Sequence, residues 1–76
     1  MSRYKGTISP ETMARLLAYW REKARHAGME ATMNRLQGHP RTAQKWEATQ
    51  ADNLAIVDLL ECAIQAEREL ASEGVQ

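Results

Sequence analysis

Flat rings and cations crowd the first third of this chain. Tyr4, Tyr19 and Trp20 stand close to Lys5, Arg21, Lys23 and Arg25. Aromatic faces stack on nucleobases, and guanidinium groups hold phosphates through paired hydrogen bonds. A nucleotide-like anion is therefore the ligand class these residue types suit. Trp20 carries a second reading, because it falls on an apolar helical face and fits a core equally well.

Other reactive side chains do not assemble into a catalytic pattern. His26 and His39 read as isolated surface residues, without a helical His/Glu partner at metal-ligand spacing. Cys62 is the single cysteine, which rules out a disulfide within one chain and a cysteine-based zinc site. It lies on a row of small residues and is expected to be a packed thiol, with no helix start or histidine to activate it. No glycine-rich phosphate loop occurs. The chain reads as non-enzymatic, without metal or cofactor. Duplex DNA is discounted as well, since the longest helix expected is acidic and phosphates would repel it.

The elements that would position these groups are helical. Thr42 to Glu73 runs 32 residues without glycine or proline and is rich in Ala, Leu, Glu and Gln; as a helix it would span about 48 Å. Thr42 is expected to cap its start, just beyond Pro40. Trp46, Ile56, Val57, Leu60, Ala63 and Ile64, continued by Ala71, form one apolar stripe, with Asn53 in its middle as a register-fixing amide or a ligand contact. Upstream, Ser9-Pro10-Glu11 is a strong helix opening. Met13, Leu16, Leu17, Trp20 and Ala24 follow at helical spacing, and Gly28 ends or bends the helix. Met29, Met33 and Leu36 add a short second helix or a kinked continuation before the turn Gly38-His39-Pro40-Arg41. The expectation is a single all-α domain over residues 1–76. It comprises an extended arm (1–8), an antiparallel hairpin (helix 9–27, short or kinked helix 29–37, long helix 42–73) and a frayed tail (72–76).

Charge is segregated along this layout. Residues 1–45 hold nine Lys/Arg against three Glu, and residues 46–76 hold only Arg68 against seven acids. The two halves attract each other in a hairpin, and the basic half is also suited to an anion pocket. No apolar run approaches 18 residues and no leader is evident, so a cytoplasmic chain with no membrane segment is expected.

A second row on the long helix points outward. Ala48, Ala55 and Cys62 recur every seventh residue, with Leu59 and Ala66 beside them. Small residues at that spacing let another helix approach closely. One chain has no second long helix to offer, so a homo-oligomer with this row as its interface is expected.

Tyr4 in a short arm, Ile8-Ser9 with Glu11, His39-Pro40-Arg41-Thr42 at the turn and Lys45-Trp46 early in the second helix are features with a precedent. The layout over residues 4–64 resembles the phage helical-hairpin sponges that sequester cyclic oligonucleotide signals and so counter CBASS immunity. In that family an arm tyrosine and a first-helix lysine touch the ligand where subunits meet. Tyr4 matches the tyrosine, one residue farther from Ser9, while the lysine's place falls on Trp20 with Arg21 next. The resemblance thus implies a cyclic nucleotide partner in a bacterial host, with Tyr4 on a base, Lys5 and Arg21 on phosphates, and Trp20 beside them. Two alternatives stay open: a helical adaptor that binds a host protein through surfaces such as Met13, Met29 and Met33, and a purely structural assembly module.

Overall fold

Two helices make up the fold: α1 (Pro10–Leu36) and α2 (Pro40–Gly74). The computed structural model describes the backbone of residues 8–74 and the side chains of residues 8–72. The expected arm residues 1–7, Tyr4 and Lys5 among them, and the last two residues of the expected tail lie outside this range. Ser9 caps α1 as its residue type dictates. Its hydroxyl accepts from the Thr12 amide at 3.1 Å, and Pro10 takes the first helical position, where the missing N–H is no loss.

The connection between the helices is closed by backbone alone. The Gly38 amide donates to the Arg35 carbonyl (3.1 Å), and the His39 amide donates to the Asn34 carbonyl (2.7 Å). These are the two bonds of a Schellman motif, and they require a left-handed residue at Gly38, whose φ is +81°. The first bond of α2 then runs from the Ala43 amide to the His39 carbonyl (3.0 Å). α2 therefore begins at Pro40, two residues before the expected start of the 42–73 helix. Pro40 sits where proline's fixed φ is already helical.

α1 does not break at Gly28. One continuous helix replaces the expected 9–27 and 29–37 segments, because Ala27, Met29 and Ala31 are good helix formers around a single unfavourable residue. Gly28 has a packing reason instead. A β-carbon built there would lie 2.5 Å from Gln50 Nε2, so the glycine makes room for a side chain of α2. At the other end, Ser72 is still helical, where fraying was expected.

The hairpin is zipped by one heptad seam on each helix. On α1, Met13, Leu17, Trp20, Ala24, Ala27, Ala31 and Asn34 alternate at spacings of four and three, and each is buried or half-buried. On α2 the series is Ala43, Trp46, Gln50, Asn53, Val57, Leu60, Ile64 and Glu67. Sizes differ along the seam: near the turn α1 contributes alanines and α2 Trp46 and Gln50, whereas at the open end α1 contributes Met13 and Leu17 and α2 Leu60 and Ile64. Asn53 is only 7 % exposed and sits in this seam. Ala63 and Ala71, expected on the inner stripe, are exposed.

Segregated charge sets the register from one flank. Arg35 pairs with Glu47 through Nε (3.0 Å) and Nη2 (2.7 Å), and Arg21 pairs with Glu61. Both pairs join α1 to α2, and they lie fourteen residues apart on each helix, which is two heptads. A one-residue slip would break both.

The two glycines make opposite predictions. Gly38→Ala should lower the unfolding free energy by about 1 kcal/mol, because a β-carbon is disfavoured at positive φ even in the open space found there. Gly28→Ala should leave stability unchanged or raise it, since helix propensity improves by about 1 kcal/mol while the end of a flexible glutamine swings aside. Urea unfolding of both variants measures the contrast, and equal losses would mean that Gln50 is held rigidly over Gly28.

Candidate ligand and association surfaces

The aromatic–cation group of α1 is present but mostly engaged. Tyr19 is 53 % exposed and stands edge-on to Trp20, with ring centroids 5.2 Å apart, while Lys23 Nζ lies 5.7 Å from the Tyr19 centroid. Trp20 is half-buried in the seam, which agrees with its core reading and leaves only part of the ring for a ligand. Arg21 is committed to Glu61. Arg25 donates through Nε to Glu22 at 3.1 Å, and its Nη1 lies 3.0 Å from Met29 Sδ. The hydrogen bond from Arg25 holds the Glu22 carboxyl below its ordinary pKa, and the same bond raises that of the guanidinium. An incoming phosphate would have to compete with Glu61 and Glu22. Of the four expected ligand contacts, Trp20 and Arg21 are adjacent on α1, while Tyr4 and Lys5 lie outside the described residues.

Two histidine and cysteine expectations need correction. His26 does have a helical acid partner: its Nε2 lies 3.5 Å from Glu30 Oε2, four residues on, and its ring meets Trp46 edge-on at 5.7 Å. The i,i+4 spacing was open to reading in the sequence. Cys62 is exposed rather than packed within the chain, because the seam passes through Leu60 and Ile64 and leaves it on the far side. No group of three or more His, Cys, Asp or Glu among the described residues is arranged to hold a metal.

A cavity of about 410 Å³ opens between the start of α1 and the end of α2, lined by Ile8, Met13, Leu17 and Ile64, with Glu67 and Arg68 among its walls. It forms at the open end of the hairpin, away from the turn. Its one sequence signal is that Arg68 is the lone cation of the acidic half.

The larger feature is what the hairpin leaves uncovered. Ala48, Ala55, Leu59, Cys62 and Ala66 are all exposed on the side of α2 turned away from α1. On α1, Met29, Met33 and Leu36 project opposite the seam, and Leu36 is 79 % exposed. Among the described residues the buried apolar set is Met13, Val57 and four alanines, whereas eight large hydrophobic residues are exposed. None of the described helices is long and apolar enough to cross a membrane.

Comparison of the chain with protein-family models, with curated proteins and with solved structures finds no match.

Arg21 can serve the hairpin, a ligand, or both. Arg21→Glu should destabilise the hairpin by about 1 kcal/mol, in the range of an exposed pair turned repulsive, and Glu61→Arg added to it should restore the loss. Thermal unfolding of the single and double variants reads this out. A double variant no more stable than the single one would show that the Arg21–Glu61 pair is energetically idle.

Proposed function

We propose that the protein is a non-enzymatic binding protein that acts as an assembly of helical hairpins. One observation carries this reading: among the described residues, more large apolar side chains are exposed than buried. Two helices of this size bury too little surface to be secure alone, and association is the usual remedy. The association row is Ala48, Ala55, Leu59, Cys62 and Ala66, on the side of α2 turned away from α1. The ligand class that fits the exposed Tyr19 ring, with Lys23 over it, is a base-bearing phosphate. Together with the layout shared with phage sponges, this supports sequestration of a cyclic oligonucleotide signal within a bacterial host, with Tyr4, Lys5, Trp20 and Arg21 as contacts.

A second reading is supported by the turn end of α1. Met29, Met33 and Leu36 form an exposed, adaptable apolar patch of the kind that docks on another protein. In that case the hairpin is an adaptor or inhibitor of a host protein.

Two measurements test these readings. Sedimentation velocity across the micromolar range should give a mass that is a multiple of the 8.6 kDa chain, and a monomer throughout refutes assembly. Calorimetry against cyclic di- and trinucleotides should show heat for at least one of them, abolished by Tyr4→Ala. No heat for any of them, with assembly intact, eliminates the sponge and leaves the adaptor.

A further inference from the structure

We infer that the outer face of α2 pairs with the same face of a second copy, antiparallel, about a two-fold axis level with Val57. This rests on the assembly proposed above and specifies its partner and register. On the side of α2 opposite the seam, Ala48, Asp52, Ala55, Leu59, Cys62 and Ala66 alternate at spacings of four and three, and all six are exposed. That alternation is a second heptad seam, unfilled by the chain's own helices. Its order is palindromic. Ala48 with Ala66, Asp52 with Cys62, and Ala55 with Leu59 are each centred on position 57, so a reversed second copy puts every member opposite another. Leu59 then enters the space over Ala55 of the second copy, as a knob enters a hole.

Charge extends the same symmetry. Lys45 and Glu69 are also centred on position 57, one turn beyond each end of the row. Neither belongs to an ion pair among the described residues; Glu69 accepts only a 3.3 Å hydrogen bond from Gln65. In the reversed pair each Lys45 meets the other copy's Glu69, and two-fold symmetry makes that contact twice. Reversal also spares the acids. Asp58 falls opposite Ile56 and Asp52 opposite Cys62, whereas a parallel pair would set Asp52, Asp58 and Glu69 against themselves along a face with no cation between Lys45 and Arg68. The two Cys62 residues end up ten positions apart, about 15 Å along the axis, too far for a disulfide.

Cysteine cross-linking of the full chain tests the register. In a Cys62→Ala background, Ala55→Cys with Leu59→Cys should oxidise to a covalent dimer as the main product. Ala48→Cys with Leu59→Cys, seven positions out of register, should not, and neither should the native Cys62 thiol. Independently, Lys45→Glu should weaken association roughly tenfold, and Lys45→Glu with Glu69→Lys should restore it. The charge swap decides the matter if circular dichroism shows the cysteine pair to be misfolded. A sedimenting oligomer that gives no 55–59 link and ignores the charge swap overturns this pairing while assembly stands. A monomer overturns both.

Discussion

A helix can bury only one side against a single neighbour, and everything in this molecule follows from having two helices. The seam uses one stripe of each and nothing more. The result is a plank of 58 × 28 × 16 Å with a radius of gyration of 17.1 Å, against about 11 Å for a compact domain of this length. Four of the six buried apolar residues are alanines, so the helices approach closely but hide little. Hydrophobic burial, at about 25 cal/mol per Å², offers correspondingly little stabilisation to an isolated copy.

Specificity comes instead from polar groups at the edges of the seam. Arg21–Glu61 and Arg35–Glu47 are exposed and individually weak. Placed two heptads apart on one flank, they reject slipped registers more than they add stability. These two pairs engage two of the five cations of α1, Arg25 is held by Glu22 within the same helix, and Arg15 and Lys23 belong to no ion pair among the described residues.

Much of this was legible before the structure. Ser9-Pro10 announced the start of α1, Gly38 the turn, and the charge halves their mutual attraction. What escaped was set by partners distant in the chain. Gly28 reads as a breaker until Gln50 is seen lying over it. Gln50 and Glu67 occupy seam positions that a search for apolar stripes passes over, and without them the regular 43-46-50-53-57-60-64-67 series dissolves into a vaguer face that wrongly admits Ala63. Pro40 was open to the same rule as Pro10, but the following threonine offered a competing cap. For the candidate site, residue types were informative and geometry was not: nothing in the sequence near Arg21 reveals that Glu61, forty residues on, neutralises it.

The turn has a consequence of its own. Gly38 and its two main-chain bonds close the corner between the helices. Nearly every contact in the hairpin grows outward from that corner, so closure can proceed zipper-fashion from neighbours already near in sequence, with loop entropy charged only once. Such a chain should find its shape quickly and lose it as readily, opening from the ends that flank the Arg68 cavity. Its persistence in a cell would then be governed by whatever occupies its bare sides rather than by any barrier of its own.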